Sequence, residues 1–218
     1  MDDYLSEEER VEALKKWWQA NSSSVVWGLV LGFAVLTGWN IWQSTQQRKA
    51  EEASGLYQQL LKAVEAKQAE PALKLSERIV EHYQGSTYAT YATLFSAKLK
   101  TDAGDLAGAK KILSDLLAAS KDGDIKHLAR LRLGEVLLAL GENDAALKLF
   151  DPLKPRDMGK YEGLYEELKG DAYAALDRTS EAQAAYELAK EKGETAPLLD
   201  LKINNLAVDS ASTPAPVQ

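Results

Sequence analysis

Residues 134–150 read GEVLLALGENDAALKLF. A small residue opens the stretch at Gly134, a turn former follows at Gly141, then alanine at Ala146 and an aromatic at Phe150, at intervals of 7, 5 and 4 residues. The same intervals recur in 97–113, AKLKTDAGDLAGAKKIL, as Ala97, Gly104, Ala109 and Leu113. They recur again in 170–186, GDAYAALDRTSEAQAAY, as Gly170, Asp177, Ala182 and Tyr186. The three sets stand 37 and then 36 residues apart. Apolar residues fall at helical spacing on both sides of each polar break, so each stretch predicts a helix, a tight turn and a second helix. The small residue lets the two helices approach, and the larger one at the last position fills the gap toward the next unit. A weaker set, Leu60, Lys67, Ala72 and Ser76, keeps the same intervals 37 residues upstream, with only Ala72 matching in type.

Outward from these units, amphipathic helical patterns continue from about Ala50 to Leu206, and the alternation of strands is missing. Breaks are predicted at 69–71, 84–86, 102–104, 121–124, 141–143, 154–156, 176–178 and 192–194, cutting the region into helices of roughly 12 to 17 residues. Self-similarity at this period marks stacked helical hairpins, and the spacing is tetratricopeptide-like. The period slightly exceeds the usual ~34 residues, and the large aromatic expected early in the first helix is missing, so the units are degenerate. Pro197 to Leu206 predicts a short capping helix of the kind such arrays need. Residues 209–218, DSASTPAPVQ, read as a disordered tail.

Upstream lies a segment of another kind. No charged residue occurs between Lys16 and Arg48, and its centre, 25–42, reads VVWGLVLGFAVLTGWNIW. As a helix this centre spans roughly 27 Å, close to the thickness of a bilayer core. Trp17 and Trp18 precede it, and Trp39 and Trp42 close it, as interfacial anchors do. It is apolar all round apart from Thr37 and Asn40, unlike the single stripe of a soluble core helix. It starts late for a cleaved signal and lacks a small-x-small cleavage site, so an uncleaved signal anchor is the expectation. Gly28 and Gly32, then Ala34 and Gly38, repeat a spacing that lets a second helix approach in lipid. Arg10, Lys15 and Lys16 on one side balance Arg48, Lys49 and Lys62 on the other, so charge leaves the orientation open.

The fold class expected is therefore all-α, with a single N-terminal transmembrane helix followed by a tetratricopeptide-like α-solenoid. The boundaries expected are an N-terminal segment at 1–23, a signal-anchor helix at 24–43, a repeat domain at 44–208 and the tail at 209–218. In the N-terminal segment, Ser6 and Glu9 fit a capping box. Val11, Leu14 and Trp18 share a face. Two readings stay open: an amphipathic interfacial helix stopping near Asn21 and Ser22–Ser24, or an extension of the spanning helix.

Composition excludes much chemistry. The 218 residues carry a net charge of -7, which argues against a general nucleic-acid binder. Cysteine is absent and histidine occurs twice, removing disulfide scaffolds, thiolate catalysis and histidine-rich metal centres. No phosphate-binding loop, zinc motif or nucleophile elbow is present, so no cofactor and no catalytic residue is expected. His82 and His127 read as surface or capping residues. Glu166 and Glu167 read as a solvated helix face. Tyr83, Tyr88, Tyr91, Tyr161, Tyr165 and Tyr173 are read chiefly as packing, with a peptide-binding groove as the alternative. The mean hydropathy of -0.32, ordinary for a soluble chain, averages an apolar segment with a polar array.

The whole layout resembles the ancillary SecYEG translocon subunit (YfgM-like) family. The matching stretches are VEALKKWW at 11–18, Gly28 to Gly32, Gly38-Trp39, Trp42 and LKINNL at 201–206. The resemblance implies a cell inner-membrane protein of Gram-negative bacteria, spanning once, with a cytoplasmic N-terminus and a periplasmic repeat domain. It implies association with the SecYEG translocon and the periplasmic chaperone PpiD, contact with membrane lipid, and assistance to exported polypeptides, without catalysis. A membrane-anchored scaffold for another envelope assembly or secretion complex is the alternative.

Overall fold

The computed structural model describes residues 7–193 and 197–212, all in helices and their connections. The helices are α1 (Glu7–Glu65), α2 (Ala69–His82), α3 (Thr87–Asp102), α4 (Leu106–Ala119), α5 (Gly123–Ala139), α6 (Asn143–Phe150), α7 (Pro155–Met158), α8 (Glu162–Ala175), α9 (Thr179–Glu191) and α10 (Pro197–Ser212). A single 3-10 turn, Gly159–Tyr161, precedes α8. The chain divides into two compact parts at Glu52/Ala53, and α1 contributes to both.

The first part is helical from Glu7 onward. Asn21 and Ser22–Ser24 do not stop it, so of the two readings of the N-terminal segment the structure shows continuous helix. Polar side chains in this helix satisfy themselves on its own carbonyls, as when Asn21 donates to the Trp17 oxygen at 2.9 Å and Thr45 to that of Ile41 at 2.8 Å. Trp27, Leu29, Phe33, Val35 and Leu36 are all exposed, around every face. Among the described residues this is the one helix long and apolar enough to cross a membrane. Ser6, half of the expected capping box, lies outside the described residues.

The second part stacks four helical hairpins: the end of α1 with α2, then α3 with α4, α5 with α6, and α8 with α9. Each hairpin turns through one residue with positive φ: Lys67 (55°), Gly104 (80°), Gly141 (73°) and Asp177 (57°). In all four, that residue's N–H donates to the carbonyl three residues back, at 2.9–3.1 Å. The next N–H reaches the carbonyl five back, at 2.8–2.9 Å. This is the Schellman arrangement that closes a helix C-terminus. Entry into the following helix is capped by side chains where the sequence supplies them: Ser86 accepts from the Ala89 N–H, Asp105 from Gly108 and Asp122 from Ile125.

The first and last register positions of each repeat meet. A Cβ built on Gly134 would lie 2.4 Å from Phe150 Cζ, and one on Gly170 would lie 2.3 Å from Tyr186 Cε1. Ala97 and Leu113 are buried in one core cluster. The large residue therefore seats first on the small residue of its own hairpin. Phe150 also reaches onward, with its ring 5.4 Å from that of Tyr165 in α8. In the first hairpin the volumes are reversed, with Leu60 and Ser76 at those positions and both fully buried. The Ser76 hydroxyl donates to the Leu73 carbonyl at 2.7 Å and shares a buried 2.7 Å bond with Ser96 of α3.

Several expected boundaries move. The first break falls at 66–68, and Pro71 sits inside the first turn of α2, where its missing N–H costs nothing. α6 has only 8 residues, shorter than the predicted range, because Pro152 and Pro155 supply no N–H to prolong it. The chain then inserts α7 and the 3-10 turn before α8. The capping helix is longer than expected, since α10 runs to Ser212. Glu194 of the last predicted break and residues 213–218 of the tail lie outside the described residues.

Candidate protein-binding cleft

Between α3 and α5 lies a cleft of about 490 Å³. From α3 it takes Tyr91, Leu94, Phe95 and Lys98. These are spaced i, i+3, i+4 and i+7, one face of the helix. α5 contributes Leu128, Arg132, Glu135 and Val136, again one face. The repeat pair Ala97 and Leu113 also lines it, both almost fully buried. The stacking of hairpins thus separates two first helices over a floor made by the small-residue contact. Tyr91 is 41% exposed, unusual for so large a ring beside a core.

The walls are apolar and aromatic, and the rim charges are already matched. Lys98 Nζ lies 2.6 Å from Asp102 Oδ2, and Arg132 Nη1 donates to both carboxylate oxygens of Glu135 at 2.7 and 2.8 Å. Tyr57 extends the aromatic wall, with its ring 5.6 Å from Tyr88, 6.3 Å from Tyr91 and 6.1 Å from Phe95. Burial, then the neighbouring Tyr91, pushes the Tyr57 hydroxyl above its ordinary pKa.

Two polar clasps tie successive elements together further along the repeat domain. In the first, the Tyr161 hydroxyl donates to Asp124 at 2.9 Å and the Lys160 ammonium lies 3.3 Å from the same carboxylate. These two groups hold the Asp124 carboxyl below its usual range. His127 stacks on Tyr161 at 4.9 Å, and its Nδ1 shares a 2.9 Å bond with the buried Tyr165 hydroxyl. Burial, then the Arg130 guanidinium, lowers the His127 pKa. His127 is therefore an inter-repeat contact and not the surface or capping residue expected from sequence. His82 ends α2 on the surface, as expected.

In the second clasp, Lys202 of α10 reaches Glu167 at 2.8 Å and Asp171 at 2.6 Å on α8. The Tyr186 hydroxyl donates to Asp171 at 2.8 Å. Glu166 is buried against Lys169 at 2.7 Å. The Glu166-Glu167 pair is thus built into the packing, contrary to its reading as a solvated face: Lys169 of the same helix covers Glu166, and Lys202 of α10 covers Glu167.

The remaining singled-out residues fall in separate places. No atom beyond the helix's own backbone lies within 4 Å of where a Cβ on Gly28, Gly32 or Gly38 would be. Trp17, Trp18, Trp39 and Trp42 are exposed, the last two with rings 5.2 Å apart. Ala109, Ala146 and Ala182 are fully buried. Among the described residues no group of three or more His, Asp or Glu is placed to hold a metal. Sequence reasoning did not isolate Phe95, Leu128 or Arg132. Their helical spacing is visible, but which face of α3 stays uncovered depends on how α5 stacks.

The chain matches the tetratricopeptide repeat-like domain family over residues 15–208. It is 30% identical to the ancillary SecYEG translocon subunit of Escherichia coli, over 95% of this chain and 100% of that one. It is 29% identical to the protein of the same name from Haemophilus influenzae, over 93% and 98% of the two chains. The Neisseria gonorrhoeae protein of that name is 30% identical over 88% and 91%. Among solved structures, MamA (41-end) from Desulfovibrio magneticus RS-1 superposes with a TM-score of 0.60 at 16% identity, over 75% of this chain and 86% of that one. That likeness is one of fold.

Proposed function

Because the chain belongs to the tetratricopeptide repeat-like family of ancillary SecYEG translocon subunits, scaffold-type proteins and not enzymes, we propose that it is a Sec-associated binding module anchored in the inner membrane. The observation that carries this reading is the pairing of one membrane-competent helix with a repeat domain bearing an open apolar cleft. Helical solenoids offer such surfaces to protein partners. A covalent anchor holds the domain near the bilayer and raises its effective concentration at a channel exit without any new contact. In this reading α1 spans the membrane once, residues 1–23 face the cytoplasm and the repeat domain faces the periplasm. There it links the SecYEG channel to chaperones such as PpiD and meets exported polypeptides as they emerge.

Photo-crosslinkable residues placed between 85 and 200 in intact cells test the role. Recovery of channel subunits or periplasmic chaperones is expected, and recovery of neither overturns it. External protease on spheroplasts tests the topology: the repeat domain is expected to be cut, and its protection means the orientation is reversed. Exchanging Val25–Trp42 for an unrelated apolar helix separates a channel partner, whose capture falls, from a purely periplasmic scaffold role, whose capture is unchanged.

A further inference from the structure

From the charge and shape of the α3/α5 cleft we infer that its occupant is an extended, uncharged, apolar stretch from the interior of a polypeptide, and not a charged chain terminus. The inference deepens the binding-module reading and rests on it.

Charge comes first. The cations lining the cleft, Lys98 and Arg132, each have a carboxylate of their own helix at hydrogen-bond distance, Asp102 and Glu135. The rim is therefore neutral and offers no surplus cation to a terminal carboxylate or an acidic side chain. A charged group entering would leave water for a wall of Tyr91, Leu94, Phe95, Leu128 and Val136 with no net counter-charge, and that loss is costly. An uncharged apolar segment meets no such penalty and gains by covering the exposed Tyr91 ring and the half-buried Leu94, Phe95 and Leu128.

Length comes second. Lining residues on α3 run from Tyr91 to Asp102, a rise of roughly 16 Å at 1.5 Å per residue. Extended backbone covers that distance in about five residues. At about 490 Å³, the cleft falls in the range of sites that bury most of a small ligand. The tilted rings of Tyr57, Tyr88 and Tyr91 continue its aromatic wall and supply ridges between which side chains can seat.

The test uses the full chain in lipid nanodiscs and fluorescence anisotropy with three labelled peptides. One carries five uncharged apolar residues within a Gly/Ser peptide blocked at both ends. A second ends in a free carboxylate directly after the same five residues. A third has two of the five replaced by Glu. The blocked peptide is expected to bind about tenfold more tightly than either the second or the third. Raising salt to about 0.5 M is expected to shift its Kd by less than about twofold, because no net charge drives the contact. Leu128→Glu and Tyr91→Ser are expected to weaken it about tenfold. Helix content by circular dichroism guards against misfolding, and the exposure of Tyr91 makes its variant the safer of the two. Failure of the blocked peptide to bind, equal or tighter binding of the free-carboxylate peptide, strong salt dependence, or indifference to both variants overturns the inference. Failure of in-cell crosslinking with peptide binding intact overturns only the Sec-associated role.

Discussion

A methyl group at position 134 has nowhere to go, since it would fall 2.4 Å from the Phe150 ring. Gly134→Ala is therefore expected to destabilise the domain by about 1–3 kcal/mol, the usual cost of overpacking. Adding Phe150→Leu recreates the Ala97–Leu113 pairing found one repeat earlier, and the double variant is expected to recover most of the loss. Urea unfolding of the single and double variants reads this coupling directly. The turn positions give a prediction of opposite sign. Asp177 holds φ at 57°, a region that glycine occupies freely at Gly104 and Gly141. Asp177→Gly is expected to gain about 0.5–1 kcal/mol, visible as a higher melting temperature.

Between elements, polar clasps set the sensitivities. His127 of α5 meets Lys160 and Tyr161 of the 3-10 turn, Tyr165 of α8, the backbone of Asp157 in α7, and Asp124 and Arg130 of its own helix. Its pKa is lowered in the folded chain, so the unfolded chain takes up a proton first as pH falls. The associated stability is complete above the ordinary value of 6.5 and is lost as pH falls from there toward the folded pKa. Thermal melts between about pH 7 and 5 are expected to show that slope, and His127→Gln to flatten it. Lys202→Met leaves Glu167 and Asp171 without their cation, and is expected to cost about 1–2 kcal/mol and speed hydrogen exchange in α10. These clasps were the least legible part of the sequence. The LKINNL stretch stood out as specific, but nothing in it shows that its lysine lands on α8. The hairpins, by contrast, could be read because a small residue, a turn residue and a bulky residue must recur wherever two helices close on each other. The first hairpin read weakly for the same physical reason. Its large and small residues are exchanged, and a lysine takes the left-handed turn. The cleft stayed hidden because exposure of a helix face is a property of the neighbours.

Across the repeat domain, contacts run from each hairpin to the next, so stability is expected to vary along the array. The largest cluster joins α3, α4, α5, α6 and α8 through Leu113, Leu137, Phe150 and Tyr165. The cluster at the C-terminal end, around Ala182, Tyr186 and Leu199, is smaller. Hydrogen exchange on the full chain is expected to be slowest in α5 and fastest in α2 and α10; uniform protection would mean a single cooperative block. The contact between Gly134 and Phe150 also carries a historical consequence. Neither residue can change size freely while the other stays, so drift at this locus must pass through paired steps or through a brief loss of stability. Lineages are then expected to preserve the summed volume of the two positions while exchanging which one is large, as the Leu60/Ser76 and Ala97/Leu113 pairs already do within this one chain.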